Sequence, residues 1–541
     1  MPMPTVRVVA EPLEPRALFA AAADYPLIYG SNTGYDSAQK AVTDAAGDVY
    51  ITGLFSGTVN FDRSGAASKS GTLTASGDTD IYVVKYSAAG KLDWVIQMGG
   101  DYTNKRMKNY KDRDIAISPR RLSDFIGRVG EQPRLAGEYV NDIALDSNGN
   151  AYLVGAFRED ITIGKKTLSA DTEFSDSFYD AMLVKVSSAG GVAWTKQISG
   201  PFDDDALTVA VDGTGAPVIG GYYQRQANFN VGGKQKLLSV FGRDAGYIAR
   251  YTPDGALAWT WQVTSKDLNV NERNSVNDLA VTSNGTVYAV GTFSYKGDFE
   301  PSEDKEHTLK SEGLTDAFVL NLTRKGALGW VESTGGDGFD GNTAIALGAD
   351  GSIYTGGYFA DDVDVNPLPN VTTIFTADQG SGTNNSAFTD LLISKFTNKG
   401  MPVWQDQITG PYFETIADMT VAPNGGIYTT GSFFNTVNFA PGKGKVVLNS
   451  TNTNDGSIKD SNTNFGRNES YDQFVQVLSP RGKFVSVKQL GSADDDYASG
   501  ISVTNDGNIL LAGRYVRAVG DRDDRQESAI VYLLGEDLSI L

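Results

Sequence analysis

Carboxylates are the residues of this chain whose type and spacing could do chemistry. Asp36, Glu138, Asp204, Asp340, Glu414 and Asp496 each stand eleven residues before a glycine of fixed register, and Asn274 holds the seventh such position. Asp203, Asp205, Asp494 and Asp495 add to the row. Oxygen-only ligands suit a hard cation, so these six carboxylates are candidate Ca²⁺ ligands. Backbone N–H groups of a neighbouring unit are the alternative partners, because clustered like charges need compensation. No D-x-D-x-D-G calcium loop occurs. A carboxylate pair would suffice for a glycosidase, but nothing in the row singles one pair out. The second chemical feature is basic. Between Asp101 and Gly137 stand Arg106, Lys108, Arg113, Arg120 and Arg121, with Lys105, Lys111, Arg128 and Arg134 around them. In a chain of formal charge −20 that stretch is a candidate binding segment for a polysaccharide or protein, or for the chain's own acidic surface.

Composition removes other chemistries. Cys is absent, so disulfides, thiolate metal sites and Cys nucleophiles are excluded. The single His, His307, lies in the charged stretch GDFEPSEDKEHTL, where a solvated residue is expected rather than a positioned base. The acidic balance argues against nucleic acid. No apolar run is long enough to span a bilayer as a helix.

The elements that must hold the carboxylates are written as a repeat. The stretch Asp146–Phe157, DSNGNAYLVGAF, is a polar turn, an apolar strand, a glycine and a ring. Turn glycines Gly47, Gly149, Gly215, Gly285, Gly351, Gly425 and Gly507 are each followed six residues later by a second glycine, and two further on by Phe or Tyr. Such a period is read before anything else. Each copy offers four strands. In the second these are Asp142–Asp146, Asn150–Phe157, Asp180–Val186 and Gly191–Ile198, the last carrying Trp194. Gly90, Gly255, Gly326 and Gly400 likewise precede Trp94, Trp259, Trp330 and Trp404 by four residues, while Gly482 leads to Ser486. Four antiparallel strands in seven copies predict an all-β fold, a seven-bladed β-propeller. The last copy stops after three strands. The N-terminal Tyr25–Tyr29 is expected to supply its fourth and close the ring, removing two exposed edges. Two turn sets are short in every copy and two connections vary, so one end is plain and the other elaborated. Variable loops on a rigid frame are where binding resides.

These residues resemble the bacterial SBBP β-propeller repeats. The matches are Asp180-Ala181, Asp316-Ala317-Phe318, Lys85, Lys185, Lys395, Gly99-Gly100 and Gly335-Gly336; Arg250, Asn321 and Val477 depart at the Lys position. The resemblance covers nearly all of the chain after Tyr25 and implies a secreted or surface propeller. Leu13-Glu14-Pro15-Arg16-Ala17-Leu18-Phe19-Ala20 resembles the LEPR-XLL motif, with Leu-Phe at the last apolar pair. It implies extracytoplasmic placement, in the envelope or secreted. Residues 1–23 are then a sorting or disordered segment, and residues 24–541 form one propeller with an insertion at 101–137. The expectation is a monomeric, non-enzymatic propeller binding a protein or glycan partner through its long-loop face. The alternative is a carbohydrate-active hydrolase or lyase using carboxylates at the channel mouth.

Overall fold

The computed structural model describes residues 8–10, 27–31, 34–62, 71–102, 137–171, 178–265, 273–300, 306–366, 372–378, 389–412, 414–441, 444–451, 470–492, 494–518 and 525–541. The ordered elements are strands, with no helix among the described residues.

Seven sheets share a four-stranded antiparallel meander. The second is representative, with strands Glu138–Leu145, Ala151–Phe157, Asp180–Val186 and Val192–Ile198. Its first strand begins four residues before the sequence-based boundary, at Glu138, so this carboxylate is the first residue of the strand. In the last sheet, Tyr497–Val503, Ile509–Ala518 and Arg525–Leu534 are completed by Leu27–Tyr29. Leu27 lies opposite Val531 and Tyr29 opposite Ala529, antiparallel. Val8–Ala10 pairs in parallel with Val487–Gln489 of the sixth sheet.

Local chemistry explains the repeat. In the first turn of the second sheet, the Asp146 carboxylate accepts the amides of Asn148 and Asn150 at 2.9 and 3.0 Å. Gly149 turns the chain at φ 72°, a conformation open to glycine at no steric cost. The third turn is fixed by the preceding sheet. Trp94 donates its indole N–H to Ser188 O at 3.0 Å, and Trp194 does the same to Pro253 O. A Cβ on Gly190 would meet the Trp94 ring at 2.7 Å. The repeated Trp thus docks one sheet on the next turn, as large rings do when a polar edge finds a partner. Lys85, Lys185 and Lys395 lie 5.1, 4.8 and 5.0 Å over Tyr50, Tyr152 and Tyr354 of their own sheets. Each also meets an aspartate of the first turn, Lys185 facing Asp146 at 3.8 Å. Arg250 replaces this lysine by pairing with Asp212.

The connections from second to third strand carry structure that the sequence reading treats as plain loop. Short hairpins stand there, such as Asp160–Ile163 with Lys166–Ser169, and Asp362–Asp364 with Ile374–Thr376. All but the first of them, Thr58–Asn60 with Thr72–Thr74, reach back to the preceding sheet. Thr162 pairs with Gly99, Gly297 with Ser265, and Val363 with Gly336. Isolated bridges Ser199–Asn228 and Thr409–Asn438 extend the device. An apolar pair anchors every hairpin except Lys296–Asp298, where Gly297 stands before Phe299: Val59 and Phe61, Ile161 and Ile163, Ala227 and Phe229, Val363 and Val365, Val437 and Phe439 are at most 3% exposed.

The first strands meet one another in sequence. Asn141 Nδ2 donates to Asp205 and to Ala206 O, and Asn277 Nδ2 donates to Asn342 O. Thr343 Oγ1 donates to Ile416 O at 2.7 Å, and Ser502 Oγ donates to Ala41 O at 2.6 Å, joining the last sheet to the first. Strand direction puts the first and third turns at one end. The entries to the first strands, the hairpins and the inter-sheet connections share the other.

Candidate functional site

The six carboxylates occupy equivalent places, each at the entry to a first strand. They do not line an open mouth: Asp36, Glu138, Asp204, Asp340, Glu414 and Asp496 are 0–2% exposed. Asp36, Asp340 and Asp496 span from the incoming connection to the end of their own second strand, whereas neither carboxyl oxygen of Glu414 has a hydrogen-bond partner among the described residues. Asp36 accepts the amides of Ser31 and Ser56 at 2.7 and 2.8 Å. Asp340 accepts those of Gly336 and Ala360, and Asp496 those of Ser492 and Val516. Asn274 keeps the register, accepting from Ser294 through Oδ1 and donating to Asp244 O through Nδ2.

A second row of acids stands beside the first. Asp80, Asp180, Asp316, Asp390 and Asp472 open the third strands and are also buried. Gln97, Gln197, Gln407 and Gln489 donate amide N–H groups to Asp80, Asp180, Asp390 and Asp472. These acids explain the Gly-Gly motif. A Cβ on Gly99 would fall 2.1 Å from the Asp80 carboxyl carbon, and one on Gly100 would fall 2.1 Å from the Asp160 carbonyl of the inserted hairpin. Burial pushes the first-row carboxyls up, and for Glu138, Asp204, Asp340, Glu414 and Asp496 a neighbouring acid adds to the rise. Asp36 rises to about 6 and Asp496 to about 8. Glu138, Asp204, Asp340 and Glu414 rise well above the ordinary range. In the second row Asp180 and Asp390 rise to about 6 and Asp316 to about 7, again through burial. Burial thus favours the uncharged form of these acids. The donor set does not fit Ca²⁺, which takes six to eight oxygens. Both oxygens of Asp36, Asp340 and Asp496 are already used by amides. No group of three or more acids or His suited to a metal ion occurs among the described residues.

A different ionic centre joins the first strands. Lys40 Nζ lies 3.0 Å from Asp418 Oδ2 and 3.4 Å from Asp142 Oδ1, and Asp278 adds to the same field. Each aspartate clasps two strands. Asp142 accepts the amides of Ile143 and Val209, Asp278 those of Leu279 and Ile345, and Asp418 those of Met419 and Ile501. Thr208 Oγ1 donates to Asp278 at 2.8 Å. Burial pushes Asp278 up to about 7 against the pull of Lys40, with Asp418 and Asp142 reinforcing the rise. The sequence reading missed this centre although its signal is present. Four residues after each first-row position stand Lys40, Asp142, Thr208, Asp278, Ala344, Asp418 and Gly500.

The long-loop end breaks the repeat in its aromatic residues. Tyr412, Phe434, Tyr471 and Tyr497 follow one another at ring separations of 5.5, 5.2 and 5.4 Å. Arg514 continues the row, its guanidinium 4.5 Å from the Tyr497 ring and 5.1 Å from that of Tyr35. A smaller group sits at the second sheet, where Arg158 lies between Tyr102 and Tyr179 and Tyr139 donates to Asp205 at 2.8 Å. His307 is exposed, and its backbone closes a hairpin with Phe299. Arg106, Lys108, Arg113, Arg120 and Arg121 lie outside the described residues, as does the stretch Leu13–Ala20.

No family model matches the chain. It is 20% identical over 438 residues to the uncharacterized WD repeat-containing protein L264 of Acanthamoeba polyphaga mimivirus, covering 69% of this chain and 30% of that protein. It is 22% identical over 519 residues to the regulatory protein FlaEY of Caulobacter vibrioides, covering 90% of this chain and 50% of that one. The chain therefore spans half or less of the length of these curated relatives. Among solved structures, a Synechocystis apocarotenoid oxygenase matches with TM-score 0.36 and 10% identity, covering 96% of this chain and 93% of that one. The Staphylococcus aureus virginiamycin B lyase matches with TM-score 0.27 and 10% identity, covering 73% of this chain and 95% of that one.

Proposed function

We propose that the seven sheets close into one seven-bladed β-propeller, with Leu27–Tyr29 as the clasp. The protein is exported or held in the cell envelope as a monomer, and it binds a protein or glycan partner through its long-loop end without catalysing a reaction. The contact from Ser502 back to Ala41 supports closure. The resemblances to SBBP repeats and to the LEPR-XLL motif support export. One observation carries the binding reading. The short-turn end repeats the same lysine, tyrosine and tryptophan contacts, whereas the long-loop end departs from the repeat in aromatic residues and in the arginines Arg158 and Arg514 that pack on them. The carbohydrate-active alternative loses its acids, because a general acid must reach the proton it transfers, and Asp204 and Asp340 are 0 and 1% exposed.

The chain's lack of Cys makes the test clean. Lys296→Cys at the long-loop end and Ala89→Cys at the short-turn end would each carry a photo-crosslinker in cell-envelope extracts. Adducts confined to the Lys296→Cys protein are expected. Adducts confined to the Ala89→Cys protein would place binding on the wrong end and overturn the reading.

A further inference from the structure

We infer that the outer edge of the sixth sheet is a strand-acceptor site for a second copy of this chain, held closed within one molecule by Val8–Ala10. The inference goes beyond the binding reading above, because it concerns a sheet edge and not the long-loop end.

The fourth strands do not all end alike. In the first five sheets the far end of the fourth strand meets the next unit's hairpin, at Gly99, Ser199, Ser265, Gly336 and Thr409. The sixth sheet receives no hairpin among the described residues. In the seventh unit the second and third strands, Ile509–Ala518 and Arg525–Leu534, pair with each other along their whole length, so nothing turns back. The far side of Phe484–Leu490 thus has no hairpin to take up its backbone N–H and C=O groups, and such a row is a template for another strand. The seventh sheet also receives no hairpin, but its edge strand Leu27–Tyr29 has three residues against seven. Short edge strands are poor templates.

The structure shows what this edge takes. Val8, Val9 and Ala10 lie beside Val487, Lys488 and Gln489 in parallel. Strand addition of this kind draws its affinity from backbone groups. The acceptor strand is correspondingly covered. Lys488 is 2% exposed. Its equivalents Ile96, Lys196, Glu332 and Asp406 are half-buried, and Trp261 is buried where its indole donates to Phe299 O beside the next hairpin. A solvated lysine commonly guards an edge strand against pairing. Lys488 is not solvated, so the added strand is what closes this edge. The occupant in trans follows by identity. A second copy carries the same strand and the same edge, and the backbone pairing is the same from either molecule. The tether, residues 11–26, favours the strand of the same molecule by an effective concentration on the order of millimolar. The contact joins the strand of one copy to the edge of the next, so exchange is head-to-tail and extends beyond a dimer.

The test uses the full chain, its variant Val8→Pro/Val9→Pro, and a fluorescein-labelled peptide of residues 5–12. Of two neighbouring amides in a strand one faces its partner, so adjacent prolines remove it whichever it is. Both positions lie outside the four-stranded meanders, and an unchanged thermal midpoint checks that the variant folds. Hydrogen exchange at Val487–Gln489 should quicken in the variant, and the peptide should slow it again. By fluorescence anisotropy the peptide should bind the variant about tenfold more tightly than wild type, whose edge is filled. A peptide carrying the same two prolines should not bind. In sedimentation velocity, wild type should pass from monomer to oligomers as its concentration approaches about millimolar. The variant has an acceptor edge but no donor strand and should stay monomeric. Unchanged exchange in the folded variant, equal peptide binding by both proteins, binding indifferent to the prolines, wild type monomeric throughout, or a variant that associates as readily as wild type would each overturn the assignment.

Discussion

At the scale of the residue, protons and one lysine govern the interior. Lys40 faces three carboxylates, and each is already committed to two amides. Removing the ammonium leaves those acids uncompensated, which in a buried setting costs roughly 3 kcal/mol. Lys40→Met is expected to lower the thermal midpoint, and adding Asp278→Asn should restore part of it, measured by differential scanning calorimetry. The acid rows predict an unusual pH dependence. Carboxyls whose folded pKa is raised are protonated in the native state, so they favour folding below the unfolded value and lose that contribution as pH rises through the folded one. Asp36 rises to about 6 and Asp496 to about 8 from an ordinary value of 3.8. The thermal midpoint should therefore fall steadily from pH 5 to pH 9, and Asp496→Asn should flatten the upper part of that slope. A midpoint that rises over this range would contradict the burial assigned to the rows. The carboxylate row itself was legible in the sequence because its spacing is strict. Its depth was not. Spacing fixes where a residue falls along a strand, whereas depth depends on the incoming connection that folds over it.

At the scale of the element, the strands and turns were legible because each glycine and aspartate has a local reason. Asp180–Val186 agrees with the sequence reading to the residue. The inserted hairpins were not read, since strands of three or four residues give too short an alternation to stand out from a variable loop. Their signal lies twelve and fourteen residues beyond the turn glycines, at pairs such as Val437 and Phe439. From the second sheet to the sixth, these hairpins fasten a unit to the one before it. Phe439 is fully buried, with ring centroids of Phe433 and Phe474 at 5.7 and 5.0 Å. Phe439→Ala should cost about 3–5 kcal/mol through the cavity it leaves. Hydrogen exchange should show the loss in the hairpin Thr436–Asn438 and Val447–Asn449. If protection of that hairpin were unchanged, Phe439 would not be its anchor.

At the scale of the whole molecule, parity matters. Asp142, Asp278 and Asp418 clasp the second sheet to the third, the fourth to the fifth and the sixth to the seventh. Seven units leave one over, and it is the first sheet, which carries Lys40. A strict repeat therefore could not have supplied the lysine. The proposed clasp gives the prediction at this scale. Leu27→Asp should break the apolar face of the terminal strand, which is 3% exposed at that residue. The amides of Ala529, Ile530 and Val531 should then lose exchange protection while the second sheet keeps its own. Protection unchanged at all three would mean that the last sheet stands without its fourth strand.

That strand also sets a timetable. Leu27 and its partner Val531 lie near opposite ends of the chain, about 500 residues apart. At ordinary rates of synthesis roughly 25–100 s separate their emergence from the ribosome. For that interval the first sheet can form but lacks its neighbour, and Leu27 and Tyr29 wait exposed beside a sheet edge. A nascent chain in this state is a target for holding factors. A chain cut short before Val531 would leave Leu27–Tyr29 without the strand it pairs with.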